Sequence, residues 1–187
     1  ELDIAEIDVI GISFGGMVAQ HLAIRHPKLI RKLVLACTSP GGETYSSADL
    51  LQLMDLPLEE RQKAWLEMYD TRYQSGSTGK QFVYLLEKLI TRNPSMFPNE
   101  ASKGLMRQIS ARSSHDLSGD LRKISHRCLV VGGRYDGIAP PENLHYLSNN
   151  LQNCELRFFE GGHSFLWEDE SAWKSISAFL AKDDGTL

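Results

Sequence analysis

Residues 7–20 read IDVIGISFGGMVAQ, a short apolar run that passes through Gly11-Ile12-Ser13-Phe14-Gly15 into a second apolar segment. A brief apolar, β-branched run bounded by glycine reads as a buried strand of a parallel sheet. In the segment that follows, FGGMVAQHLAIRHP, Val18 and Leu22 stand four apart, with Met17, His21 and Ile24 on an adjoining stripe. That spacing predicts a largely apolar helix. Pro27 disfavours helical geometry in the residue before it, so the helix should end near His26. LVLAC at 33–37 is a second strand, which makes a strand, helix, strand unit.

The alternation returns late in the chain. CLVVGG at 128–133 and ELRFFE at 155–160 are two further strand-like runs. Between them PPENLHYLSNNL opens on proline at a first turn and sets Leu144, Leu147 and Leu151 at helical spacing. ESAWKSISAFLAK carries Trp173, Ile176, Phe179 and Leu180 and reads as an amphipathic helix, and the ending DDGTL as a frayed terminus. Strands alternating with helices imply an α/β fold with right-handed crossovers.

Residues 41–126 break that rhythm. ADLLQLMDLPLEERQKAWLEMYDTRY, GKQFVYLLEKLITRN and NEASKGLMRQISARSSHDL are helical in pattern and carry no convincing strand. The segment is far longer than an ordinary connection. It reads as an inserted helical lid, with QSGSTG at 74–79 as a flexible joint. The expected layout is therefore a first part of the α/β core at 1–40, the lid at 41–126, and a second part of the core at 127–187. Apolar lid residues, Leu50, Leu51, Leu53, Met54, Trp65, Met68, Phe82, Leu85, Leu86 and Met106, would wall a pocket, or equally pack the lid on its domain.

Composition narrows the classes. The chain has 187 residues, room for about one domain. Its 42% hydrophobic and 24% charged residues are those of a globular protein. A net charge of −4 with scattered Lys and Arg gives no basis for nucleic-acid binding. No apolar run reaches the ~18 residues that would suggest a membrane span. Cys37, Cys128 and Cys154 are an odd count without CxxC spacing, so neither a disulfide framework nor a metal site is expected. Buried free thiols and an acidic N-terminus point to a reducing cytoplasm.

The chemistry centres on Ser13. A nucleophilic serine needs exposure at a sharp turn, a base, and donors for an oxyanion. A strand-to-helix turn supplies the first, and aims the Phe14 backbone N–H and a helix N-terminus at the developing charge. G-x-S-x-G arises by chance in about one chain in twenty of this size, so its position between a strand and a helix is what makes it informative. Of the six histidines, His21, His26, His115, His126, His145 and His163, only His163 lies in a loop directly after a strand near the end of the α/β portion, in FFEGGHSFLWED. His21 and His26 fall on or at the end of a helix. Asp136, in CLVVGGRYDGIAPP, follows the third strand and precedes a helix. Asp116, Asp120 and Asp169 read as solvated surface acids.

The order Ser13, Asp136, His163 is that of the α/β-hydrolases. On GISFGGMVAQHLAIRHPKLIRKLVLACTSPGG, CLVVGGRYDGIAPP and FFEGGHSFLWED the chain resembles that superfamily, in particular its lidded members such as enol-lactonases, esterases and carbon–carbon bond hydrolases. The resemblance implies a parallel sheet flanked by helices, with Ser13 as nucleophile, His163 as general base and then acid, Asp136 holding the imidazole and Phe14 N–H in the oxyanion hole. It implies a small or medium, partly apolar acyl substrate and no cofactor. A serine in place of an aspartate nucleophile disfavours dehalogenase and epoxide-hydrolase chemistry. The family places several strands, and a loop with a second oxyanion donor, before the nucleophile strand, whereas six residues precede Ile7 here. The expectation is of a sheet lacking its N-terminal strands, in a chain that is a fragment of a longer protein, is paired with another segment, or is a shortened family member, with the strand at 7–11 as an exposed edge that invites self-association. A non-catalytic or inactive shortened member is the alternative reading, and perhydrolase activity on the same three residues is not separable by sequence.

Overall fold

Side chains alternate between the two faces of a strand, so two interleaved apolar sets in one strand require a helix layer on each side. The computed structural model describes residues 4–73, 75–76, 88 and 103–182, apart from the side chains of Met54 and Leu105. Its sheet contains β1 (Ile7–Ile12), β2 (Ile30–Ala36), β3 (Arg127–Gly133) and β4 (Asn153–Phe159), all parallel and adjacent in chain order. Helix α1 (Phe14–Arg25) links β1 to β2, and α2 (Leu51–Met54), α3 (Leu58–Tyr69) and α4 (Lys103–Ser113) fall between β2 and β3. Then α5 (Pro141–Asn150) links β3 to β4, and α6 (Phe165–Glu168) and α7 (Glu170–Ala181) follow.

On one face Leu33, Leu35, Cys128 and Val130 pack with Ala19 and Ala23 of α1 and with Leu144 and Leu147 of α5. On the other, Val34, Ala36, Leu129 and Val131 pack with Phe165, Ile176 and Phe179. Burying each such side chain is worth roughly 1.5–3 kcal/mol, so these layers dominate the energetics of the sheet. Lys32 is buried in β2 because its Nζ donates to the Phe179 and Leu180 carbonyls, at 3.3 and 3.0 Å, near the C-terminal end of α7. Those carbonyls have no partner within their own helix.

Two helices present a different face from the one their large residues predict. In α1 the buried positions are Gly16, Met17, Ala19, Gln20 and Ala23, while Val18 is 52% exposed. At its start the helix lies close against the segment after β2; a Cβ on Gly16 would lie 2.5 Å from the Thr38 side chain. In α7, Ala172, Ile176 and Phe179 are buried and Trp173 is 41% exposed. The outer strand β1 is also partly bare, with Ile10 and Ile12 exposed.

Among the described residues, 41–126 carry helices, 3-10 turns and isolated bridges at Gly41. The expected helix in GKQFVYLLEKLITRN lies outside the described residues apart from Lys88, as do Phe82, Leu85 and Leu86, most of the QSGSTG joint and the DDGTL ending. Of the pocket-wall residues that are described, Leu50 and Trp65 line a cavity, whereas Leu51 and Met106 face solvent and Leu53 is buried. No helix among the described residues is long and apolar enough to cross a membrane.

Candidate active site

The turn between β1 and α1 sets the position of Ser13. Its backbone sits at φ 52°, ψ −119°, a region that costs a non-glycine residue about 1–3 kcal/mol. The surrounding bonds hold it there. Ser13 N–H donates to the Ala36 carbonyl at 2.8 Å, and the Ser13 carbonyl accepts from Gly16 N–H at 2.9 Å and from Thr38 Oγ1 at 2.8 Å. A Cβ on Gly11 would lie 2.6 Å from the Gly15 carbonyl oxygen. One on Gly15 would meet nothing within 4 Å. The crowding that the motif's outer glycines suggest is therefore real at Gly11 and at Gly16, not at Gly15. Phe14 begins the helix, so its N–H has no acceptor one turn back.

Asp136 and His163 come from the ends of the next strands. Asp136 follows β3, and its side chain is fully buried. Asp136 Oδ1 accepts from the backbone N–H groups of Ile138 and Ala139, each at 2.8 Å, and Oδ2 lies 2.8 Å from His163 Nδ1. An ionised carboxylate can only accept, so Nδ1 carries the proton of the neutral ring and Nε2 is left as the acceptor. Nε2 lies 2.9 Å from Ser13 Oγ. A hydroxyl so placed can lose its proton to the ring as it attacks an electrophile, while the carboxylate steadies the imidazolium.

The structure thus brings together all three side chains singled out in the sequence. The other histidines take no part. His21 packs edge-on against His115, and His126 hydrogen-bonds the Pro27 carbonyl. Asp169 caps α7 through Ser171 N–H instead of standing free. Cys37, at φ 41°, is buried beside the site, and its sulfur, an Asp136 oxygen and a His163 nitrogen lie within 4.8 Å of one another. Burial, with Asp136 adding to it, pushes the Cys37 thiol well above its ordinary range. A protonated thiol beside a carboxylate already engaged by three donors is a poor start for a metal site.

Four neighbours had no local signal. The Tyr69 carbonyl at the end of α3 accepts from His163 N–H at 2.7 Å, and its ring meets the imidazole edge-on with centroids 5.5 Å apart. Arg72 joins buried Asp70, at 3.0 Å from Nε, to Glu168, at 3.2 Å from Nη2. Glu168 accepts from Gly162 N–H at 3.0 Å, and burial raises its carboxyl pKa. Arg112 of α4 faces the cavity over Ser13. An ion pair within one loop, a backbone carbonyl or a helix-end arginine is ordinary in sequence, and these roles arise only from tertiary contact.

A cavity of about 320 Å³ opens onto this arrangement. Ser13, Phe14 and His163 line it together with Leu50, Trp65, Ile138 and Trp167.

Comparison with known proteins identifies the fold and the family. A 2-hydroxymuconate semialdehyde hydrolase of Pseudomonas putida is 29% identical over 98% of this chain and 65% of its own length. A poly(3-hydroxyalkanoate) depolymerase of Ectopseudomonas oleovorans is 29% identical over 88% of the chain and 57% of its own. The chain thus spans less than two thirds of the length of these curated relatives. The crystal structure of an enol-lactonase from Burkholderia xenovorans LB400 superposes with a TM-score of 0.75 at 18% identity, covering 97% of this chain and 68% of that one, and shows the likeness of fold. The family described as alpha/beta hydrolase fold matches residues 1–170, and with the parallel sheet and its helix layers this makes the chain a member of that family.

Proposed function

We propose that the protein is a serine hydrolase that cleaves an ester, lactone or related acyl bond of a small, partly apolar substrate through an acyl-enzyme. The observation that carries this reading is the hydrogen-bonded series from Asp136 through His163 to Ser13, at 2.8 and 2.9 Å, with the serine held on a strained turn. Relatives named as hydrolases and a depolymerase support the same reaction class. In the proposed layout, residues 1–40 and 127–187 form the catalytic core and 41–126 its lid.

In the first half-reaction Ser13 Oγ attacks the acyl carbon while His163 Nε2 takes its proton. The carbonyl π electrons move onto oxygen, and the Phe14 N–H and the start of α1 stabilise that charge. Collapse expels the leaving oxygen, which receives the proton from His163. Water then attacks the acyl-enzyme with His163 again as base, and the acid product departs as Ser13 regains its proton. Asp136, fully buried and acceptor-only, favours the imidazolium in both halves. The largely apolar cavity suits a compact acyl group.

A fluorophosphonate probe tests the reading directly. It should form one adduct, at Ser13, absent in Ser13→Ala and much slower in His163→Ala. A protein that is folded by circular dichroism yet unlabelled would sink the proposal.

A further inference from the structure

Two histidines outside the catalytic arrangement meet where the helical segment returns to the core. His21 lies on α1, and His115 follows the end of α4 by two residues. His115 Nδ1 stands 3.2 Å from His21 Nε2, with the two ring planes 70° apart. On its other side His115 Nε2 stands 3.2 Å from the Ser39 carbonyl oxygen, which also accepts from Gln20 Nε2 at 2.9 Å. A carbonyl can only accept, so Nε2 carries the proton of the neutral His115 ring and Nδ1 keeps a bare lone pair beside His21. Burial, with His21 adding to it, lowers the His115 pKa and so favours that neutral ring. A neutral imidazole is the form that binds a metal ion.

Two ring nitrogens this close need something between them: a proton carried by His21 Nε2, or a metal ion in its place. We infer that His21 and His115 form a zinc-binding site. Two nitrogens held by one zinc ion at about 2.0–2.1 Å and the tetrahedral angle lie about 3.3 Å apart, whereas a right-angled pair on square-planar copper or nickel would lie about 2.8 Å apart. The observed 3.2 Å fits the tetrahedral ion. The Ser39 carbonyl is the outer partner that a ligating histidine ordinarily has, and it fixes both the tautomer and the turn of the ring. Asp116 acts on His115 through space and offsets part of the ion's charge. His21 is half-buried, so water can complete the coordination shell. The ion would join α1, which begins at the Ser13 turn, to the chain leaving α4, whose Ile109 lines the cavity. Zinc would thus clasp the helical segment to the core, whatever bond the protein cleaves.

Isothermal titration of chelator-stripped protein with zinc chloride tests the site. The wild type should take up one ion, and His21→Gln and His115→Gln should each weaken that binding at least about tenfold. Zinc should likewise raise the Tm of the wild type and not that of either variant. His163→Gln should bind as the wild type does, which separates this site from the group of Cys37, Asp136 and His163. His115 is buried, so if its replacement fails to fold, the half-buried His21 decides alone. No binding by the wild type up to about 1 mM zinc, wild-type affinity in either folded pair variant, or loss of affinity in His163→Gln overturns the inference.

Discussion

The strand ends of the core and the helical segment between β2 and β3 both reach Ser13 and His163, by different physical means. The core holds its residues by close approach: Gly11 and Gly16 leave no room for a Cβ, and the Ser13 backbone is fixed on Ala36 and Thr38. The helical segment holds His163 through a few polar contacts, chiefly the Tyr69 carbonyl and the Arg72 pairs with Asp70 and Glu168. Close packing tolerates almost no change in shape, whereas a polar dock can move as a unit. The core should thus set whether chemistry occurs, and the helical segment on what substrate and how fast.

The largest effect expected on this basis is at Ser13. Ser13→Gly should lower kcat/KM by at least about 10³-fold, since the proposed nucleophile is gone. It should also raise the Tm, because glycine occupies φ 52° without strain. Loss of activity with an unchanged or lower Tm would show that the turn stores no strain, and the core half of the comparison would fall.

Glycine substitutions separate the two kinds of attachment. Gly11→Ala should cost about 1–3 kcal/mol in urea unfolding, since its Cβ meets backbone that cannot yield. Gly15→Ala, with open space and a helical position, should be neutral or stabilising by up to about 1 kcal/mol. Gly162→Ala sets a Cβ 2.1 Å from the Tyr69 carbonyl, and the helical segment can retreat from it. It should cost more in kcat/KM, at least about tenfold, than in stability. Equal stability losses at Gly11 and Gly162 would show that segment and core are packed alike.

What the sequence discloses follows the same division. Ser13, Asp136 and His163 are legible because each stands at the end of a strand whose apolar alternation is plain, and their order narrows the pairing. The buried face of α1 is not legible from apolar spacing: Val18 is exposed while polar Gln20 is buried, because Gln20 Nε2 finds the Gly16 and Ser39 carbonyls, a pairing that exists only in the folded chain. Tyr69, Arg72 and Arg112 were not legible at all. Their roles depend on where α3 and α4 dock, which no local period encodes.

The polar dock is open to a charge test. Arg72→Met leaves Asp70 buried without its cation and should cost about 2 kcal/mol, read as a lower urea midpoint. Glu168 has a carboxyl pKa raised chiefly by burial. Between its unfolded and folded pKa values the unfolded chain releases the proton first, so rising pH above about 4.5 draws stability away at this residue. Glu168→Gln should remove that loss, and its midpoint should decline less from pH 4 to pH 7 than the wild type's. A steeper decline would assign Glu168 to the stabilising side.

The smallest effect belongs to Asp169, which ties the other end of the His163 loop from within the core. Its side chain accepts from Ser171 N–H at 2.9 Å as the cap of α7, and from Glu160 N–H at 3.1 Å. Those bonds favour the ionised form and hold its pKa below the usual aspartate value, with the Ser171 hydroxyl the leading cause. The contribution is therefore complete above about pH 3.8 and disappears as pH falls through the folded pKa. Asp169→Ala should cost about 1 kcal/mol at neutral pH, and the gap to wild type should close as the medium becomes more acidic. Asp169→Asn keeps one acceptor, enough for the Ser171 cap or for Glu160 N–H but not for both, and should lose less than Asp169→Ala, without the pH dependence. If Asp169→Ala instead changed kcat/KM as much as Gly162→Ala does, the His163 loop would be governed from the core side alone, and the docked helical segment would be left to shape the cavity without steadying the base.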